Sequence, residues 1–164
     1  SEMCIRDSSI PFVGLSSNGI PMYNINGKIT STDIDFQTRD NIDYLKYEGP
    51  TDPTITGSLG NIFTYKAFKL NVFITYSFGN VVRLNPCFSY QYSDLSSMPR
   101  EFKNRWTVPG DEKRTNIPAI ISKRQYEDNK DLMYAYNAYN YSTERIAKGD
   151  FIRMKEISLS LIHI

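Results

Sequence analysis

Residues 53–79, PTITGSLGNIFTYKAFKLNVFITYSFG, read as two strands joined by a tight turn, and the second strand is apolar on one side only. Leu70, Val72, Ile74, Tyr76 and Phe78 fall on one side of a period-two ribbon. Asn71, Thr75 and Ser77 fall on the other, with Phe73 the exception. A half-buried sheet in a soluble sandwich gives the same alternation. The balance is tipped by an aromatic at the far end of the apolar row and a long polar excursion directly after it. A tilted strand of about 9–11 residues crosses a bilayer, and outer-membrane barrels join such strands by short turns on one side and long loops on the other.

Working outward, the first strand covers about residues 55–66, with Phe63 and Tyr65 on its outer face and little bulk at Gly57 and Gly60. Lys66-Ala67-Phe68-Lys69 is the turn, and the second strand runs over about residues 70–84. A polar, Tyr-rich loop follows over residues 85–149, too long to be a plain connection. Within it the sequence predicts a short helix over Met98–Asn104, capped by Ser97 with Pro99 in the first turn, and a second over Lys123–Tyr136. A third strand covers residues 151–160, with Ile157 and Leu159 on one face and Ser158 and Ser160 on the other. Upstream, Asn18-Gly19 and Asn26-Gly27 signal turns in a strand end or hairpin over residues 10–30. Residues 32–47 have a helix pattern, with Thr32 or Asp33 as cap and Ile34, Ile42 and Leu45 along one face. Glu48-Gly49-Pro50 and Asp52-Pro53 then turn the chain.

The bulk numbers agree with a single domain of 164 residues. Aromatics reach 13%, with 12 Tyr and 9 Phe, which suits interfacial girdles or a sugar- or peptide-contacting surface. A net charge of +1 points to no strong electrostatic attraction to nucleic acid or anionic lipid. No run approaches the roughly 18 apolar residues of a spanning helix, so a membrane location requires strands closed into a barrel.

The two ends do not match their surroundings. Residues 1–8, SEMCIRDS, and the terminal SLIHI resemble translated sequencing adapters, so residues 1–8 and 161–164 are expected to be non-native and residues 9–160 an internal piece of a longer protein. Residues 1–8 also lack the apolar core of a secretory signal. Cys4 and Cys87 have no metal-site spacing. His163 is the single histidine, and without it Ser-His catalysis and most transition-metal chemistry have no native ligand or base.

An ordered set of motifs resembles SusC/RagA-type TonB-linked outer-membrane proteins. It comprises Tyr47-Glu48-Gly49-Pro50, Gly57-Ser58-Leu59-Gly60-Asn61-Ile62-Phe63-Thr64-Tyr65-Lys66, Phe68-Lys69-Leu70 and Tyr76-Ser77-Phe78-Gly79. Arg105-Trp106-Thr107-Val108-Pro109-Gly110-Asp111-Glu112 follows, with Thr115 and Ile117-Pro118. Gly149-Asp150-Phe151-Ile152-Arg153-Met154-Lys155 with Ile157-Ser158-Leu159-Ser160 completes it, so the match spans most of Pro21–Ser160. The resemblance implies an all-β fold: a fragment of a membrane β-barrel, near its C-terminal end, with antiparallel strands and a long extracellular loop containing short helices. Proteins of this kind enclose a plug in a barrel of about 22 strands. They sit in the outer membrane of Gram-negative bacteria, pair with a SusD-like surface lipoprotein, and import oligosaccharides or peptides with energy relayed by TonB. The plug, the TonB-contacting segment and most strands of that pattern are missing here, so TonB would be reached only through absent N-terminal parts.

On this reading the lipid-facing residues are Leu70, Val72, Ile74, Tyr76, Phe78, Ile157 and Leu159, and no catalytic residue, cofactor or metal is expected. Arg105, Trp106 and Asp111 are candidates for touching substrate or the lipoprotein; alternatively Trp106 packs the loop and Gly110 makes a turn. Tyr134, Tyr136, Tyr139 and Tyr141 form either a stacking platform or one side of a loop packed on itself. The acid pairs Asp111-Glu112 and Glu127-Asp128 read as charge-balanced surface rather than as a glycosidase pair. Asp33-Ile34-Asp35 lacks the remaining ligands of a calcium loop. A soluble all-β carbohydrate-binding module is the alternative of a different class, and a polysaccharide-active enzyme a weaker third.

Overall fold

A computed structural model describes residues 8–34, 42–86, 88 and 97–161. In chain order the strands and helices are β1 (Ser8–Ser9), β2 (Phe12–Leu15), β3 (Pro21–Ile25), β4 (Lys28–Thr30), β5 (Lys46–Tyr47), β6 (Ile55–Tyr65), β7 (Phe68–Phe78), β8 (Val81–Arg83), α1 (Lys123–Asp128), α2 (Leu132–Asn140), β9 (Ile146–Lys148) and β10 (Phe151–Leu161). Single 3-10 turns lie at Arg100–Asn104, Asp111–Lys113 and Thr143–Arg145. The fold is mostly antiparallel β with few helices, and the described strands do not close into a barrel. The chain divides into two compact units: Ser1–Glu48 with Arg83–Ile146, and Gly49–Val82 with Ala147–Ile164.

The second unit is a three-stranded sheet in the order β10-β7-β6. The β6–β7 hairpin turns through Lys66-Ala67 alone, and Phe68 and Lys69, expected in the turn, are already in the strand. Lys66 takes φ 50, the left-handed value that a two-residue hairpin needs to follow the right-handed twist of its strands. At the other end β7 stops at Phe78 rather than running to residue 84. Gly79 bends at φ 82, its N–H donates to Asp150 Oδ1 at 2.7 Å, and Asn80 O accepts from Gly149 N at 2.8 Å. Leu161 pairs with Phe68 at the hairpin end of the sheet.

The first unit holds the buried core. Ile10, Tyr23, Ile34, Phe88, Phe102, Ala135, Tyr136, Ala138 and Tyr139 form one cluster, with the β2-β3-β4 meander and α2 supplying most of it. Its rings meet edge-on or tilted: Phe88 lies 4.8 Å from Phe102 and 5.2 Å from both Tyr136 and Tyr139, and Phe12 lies 5.7 Å from Tyr139. These are the separations at which ring quadrupoles attract. Each buried hydroxyl of the cluster that reaches a carbonyl does so tightly: Tyr23 Oη donates to Ala135 O and Tyr136 Oη to Ala119 O, both at 2.6 Å. Burial, with Tyr139 and Tyr136 beside it, pushes the Tyr23 hydroxyl well above its usual pKa, so it stays a donor.

Two side chains tie this unit's loops to its core. Asn140 accepts from Phe88 N at 3.1 Å and donates to Phe88 O at 2.9 Å, replacing the pairing that a strand would give that backbone. Arg145, almost fully buried, pairs with Glu101 Oε1 at 2.7 Å and donates to Asn85 O at 2.7 Å.

The helix expected over residues 32–47 is not present at its described ends: Lys46–Tyr47 is a strand paired with Ser8–Ser9, and Thr32–Ile34 is irregular. Asp35 and the middle of that stretch lie outside the described residues, as do Cys4, Cys87 and His163. The helix expected over Lys123–Tyr136 is two helices. A capping box of Ser122 and Gln125 starts α1, and the chain leaves the helical region at Asn129 before α2 begins. The segment after Ser97 starts at Arg100 and is a 3-10 turn, with Pro99 at its cap.

Replacing Asn140 by Ala leaves two buried backbone groups of Phe88 unpaired and is expected to cost about 2–4 kcal/mol. Urea unfolding of the chain in mild detergent, followed by the emission of Trp106, the single tryptophan, checks this; a loss below about 1 kcal/mol contradicts the clamp.

Candidate functional site

Cross-strand register decides what the β10-β7-β6 sheet presents, because residues directly opposite one another point to the same face. Leu70 pairs with Phe63 and Leu159, Val72 with Asn61 and Ile157, and Ile74 with Leu59 and Met154. Tyr76 pairs with Gly57 and Ile152, Phe78 with Ile55, and Phe68 with Tyr65 and Leu161. Every position of that face other than Gly57 and Asn61 is therefore apolar or aromatic. The opposite face carries Thr56, Ser58, Thr64, Lys69, Asn71, Thr75, Ser77, Arg153, Glu156, Ser158 and Ser160, interrupted by Gly60, Ile62, Phe73 and Phe151. On it Asn71 Nδ2 donates to Glu156 Oε1 at 2.8 Å and Ser158 Oγ to the same oxygen at 3.2 Å.

A β-bulge keeps this separation intact. In β10 the apolar residues switch phase, from Ile152 and Met154 to Ile157, Leu159 and Leu161. The register shifts between Met154 and Glu156, leaving Lys155 as the extra residue that restores the phase. Aliphatic residues occupy the middle of the apolar face, and aromatic residues stand at both ends: Phe63, Tyr65 and Phe68 by the hairpin turn, Tyr76 and Phe78 at the other end. The Tyr76 and Phe78 rings stack 5.7 Å apart. Gly57 makes room for this row, since a Cβ there would overlap the Tyr76 hydroxyl and ring.

The apolar face is open. Ile157 is 62% exposed, Leu159 68%, and Leu59 58%. Among the described residues of this unit the one buried residue is Ser77, on the polar face. Each of the three strands has 11 residues. At about 3.3 Å per residue and a tilt of about 40–45°, that length spans roughly 25 Å.

The sequence pattern marks β7, Phe63 and Tyr65 of β6, and the end of β10; the register adds Ile55 and Leu59 of β6 and the first half of β10 to the same face. Ile152 and Met154 were hidden by the phase switch at Lys155.

In the other unit, Trp106 sits in a hydrogen-bonded loop. Its N–H donates to Ile117 O at 2.9 Å, and Nε1 donates to Glu112 Oε2 at 3.2 Å. The indole covers Gly19, where a Cβ would come within 2.6 Å of Trp106 Cδ2, and Gly110 turns at φ 106. Asp111 Oδ2 accepts from Thr107 N, Val108 N and Thr107 Oγ1 at 3.1, 3.1 and 2.9 Å. Gly110 N donates to Glu112 Oε2 at 2.7 Å. Arg105 Nη1 donates to Phe102 O at 3.2 Å. These side chains hold a turn whose tip exposes Val108 and Pro109.

The four tyrosines do not form one platform. Tyr136 and Tyr139 are 3% exposed, because α2 turns them into the core, whereas Tyr134 and Tyr141 remain on the surface. Tyr136 and Tyr139 are therefore packing residues, and the expectation that they contact a substrate is corrected. Tyr141 lies under the Arg83 guanidinium at 5.5 Å. Asp33 pairs with Lys28 Nζ at 3.2 Å.

Both loop carboxyls are held below the usual carboxylate range, Asp111 first by the Val108 amide and then by Thr107, Glu112 first by its own amide and then by Gly110 and Trp106. A depressed folded-state pKa gives stability that is complete above the unfolded value of about 4 and is lost as pH falls through the lowered value. Trp106 emission should therefore stay constant from neutral pH to about pH 4 and change only below it. A transition already complete at pH 5 contradicts this loop geometry.

The chain matches none of the protein families and none of the curated proteins with which it was compared. Solved structures similar to it include the RagAB peptide importer in the 'open-open' state and in the 'closed-closed' state. Each gives a TM-score of 0.60 at 18% sequence identity over 93% of this chain. The chain spans 15% of the length of the first and 16% of the second. At that identity the likeness is one of fold.

Proposed function

We propose that this chain is a segment of the wall of a TonB-dependent, SusC/RagA-like outer-membrane importer, with its apolar face against lipid and its polar face toward the interior. One observation carries the reading: three paired strands present a continuous, exposed apolar face. Burying a Val, Leu, Ile or Phe side chain is worth about 1.5–3 kcal/mol, so a sheet that leaves a whole row uncovered in water forgoes its main stabilisation. A lipid bilayer supplies that cover, and further strands on β6 and β10 supply the missing edge partners. The fold likeness to the RagAB peptide importer supports the same assignment.

In this reading Leu70, Val72, Ile74, Tyr76, Phe78, Ile157 and Leu159 face lipid, joined by Leu59, Phe63, Ile152 and Met154. The long loop over residues 85–149 lies outside the cell. Its rigid Trp106–Glu112 turn, with Arg105 beside it and Tyr134 on the surface, is offered to a SusD-like lipoprotein or to an oligosaccharide or peptide cargo. Energy arrives from TonB through parts of the protein beyond this segment. A soluble carbohydrate-binding module predicts apolar residues inside both units, whereas among the described residues of the β6-β7-β10 unit the buried one is Ser77.

Two substitutions test the faces. In the full-length protein, Val72→Arg puts a charge against mid-bilayer lipid, at a cost of about 2–4 kcal/mol, and should strongly reduce outer-membrane levels. Asn71→Arg, on the opposite face, should leave them near normal. Equal levels for the two variants contradict the assignment. The isolated chain should also aggregate without detergent; a soluble, folded monomer favours the module instead.

A further inference from the structure

The Trp106–Glu112 turn carries a charge imbalance that the whole-chain total of +1 conceals. Residues 100–114 hold five cations, Arg100, Lys103, Arg105, Lys113 and Arg114, and three acids, Glu101, Asp111 and Glu112. All three acids are committed within the fold. Glu101 is neutralised by the buried Arg145 at 2.7 Å. Asp111 Oδ2 accepts from Thr107 and Val108, and Glu112 Oε2 accepts from Trp106 Nε1 and Gly110 N. Among the described residues none of the five cations forms an ion pair. Arg100, Lys103, Lys113 and Arg114 are exposed, and Arg105 is half-buried with Nη1 on Phe102 O. The bond from Trp106 N to Ile117 O closes the turn, so one basic arm enters it at residues 100–105 and another leaves it at 113–114. Between the arms in sequence stands an apolar tip, Val108 at 57% exposure with Pro109 beside it.

An apolar centre flanked by unpaired cations fits a partner that brings carboxylates around a small hydrophobic contact. An acidic peptide and an acidic polysaccharide both carry carboxylates. A sugar chain is held by exposed aromatic planes, and the indole of this turn, Trp106, lies over Gly19 instead. A peptide needs no such plane. Its carboxylates take charge-assisted hydrogen bonds from Lys and Arg, and its apolar side chains meet Val108. We infer that the Trp106–Glu112 turn binds acidic peptides, held by Arg100 and Lys103 from one arm and Lys113 and Arg114 from the other. The inference sharpens the reading above, in which this turn meets cargo or lipoprotein, and rests on it only for the peptide's role as cargo.

The test titrates the full chain, in nonionic detergent, against labelled peptides of equal length that are glutamate-rich, neutral or lysine-rich, with binding read by fluorescence anisotropy. The glutamate-rich peptide should bind most tightly, and its affinity should fall steeply as salt rises. Two double variants remove one arm each: Arg100→Gln with Lys103→Gln, and Lys113→Gln with Arg114→Gln. Each should weaken that peptide about five-fold at low salt, for two exposed charges lost. None of the four side chains belongs to the hydrogen bonds that form the turn, so Trp106 emission should match the wild-type chain and report an intact fold. Lys113→Arg with Arg114→Lys keeps both charges and should retain the affinity. A galacturonate oligomer of matched charge should bind more weakly; equal binding means that carboxylates alone are read and the peptide assignment is wrong. Equal affinity for the glutamate-rich and neutral peptides, or unchanged affinity in both double variants, overturns the inference. Neither result touches the membrane reading, which the outer-membrane levels of Val72→Arg and Asn71→Arg decide separately.

Discussion

A β-strand can be oily on one side and wet on the other only if its neighbours keep the same phase, and that constraint governs the sheet of β6, β7 and β10. Register over eleven-residue strands brings Phe63, Leu70 and Leu159, or Leu59, Ile74 and Met154, to one face, and the charged residues of β7 and β10 that are paired in register go to the other. A slip of one residue would send every apolar group to the polar side. The sequence of β10 comes close to such a slip at Lys155, and the bulge absorbs it. The same bulge keeps Glu156 on the face where Asn71 and Ser158 receive it.

The two units solve the burial problem in opposite ways. The unit containing α2 collects its aromatic rings inside, satisfies their hydroxyls with backbone carbonyls, and pins its loops with Asn140 and Arg145. Its tip at Thr107–Glu112 is rigid for a local reason: two carboxylates consume the N–H groups that the turn would otherwise leave unpaired. Among the described residues, the unit of β6, β7 and β10 gathers no apolar interior and leaves both outer strands without partners on one edge. Such an arrangement is unfavourable in water and ordinary in a closed wall within lipid.

Much of this was legible from residues alone, because period-two alternation with exposed β-branched and aromatic residues is a strong local signal. The β6–β7 hairpin and the outer half of β10 were visible in that way. The inner half of β10 was not, since a bulge breaks the period on which the reading depends. The tyrosines of α2 misled for a different reason: Tyr134, Tyr136 and Tyr139 have the same chemistry, and only their positions around a helix separate a surface ring from two core rings. Ser8–Ser9 pairing with Lys46–Tyr47 was hidden as well, because a two-residue ladder between distant segments leaves no periodicity to detect. The role of Trp106 was readable only as a choice between packing and contact; its position over Gly19 shows the packing.

The most direct test is a spin-label scan of β7 from Phe68 to Phe78 in the membrane-inserted protein, each position in turn carrying a single cysteine in a background without Cys4 and Cys87. Collision rates with oxygen, which concentrates in lipid, and with a water-soluble nickel complex would be compared along the strand. The account predicts strict alternation, with positions 68, 70, 72, 74, 76 and 78 favouring oxygen and the positions between them favouring nickel. A flat profile, or alternation in the opposite phase, would contradict it.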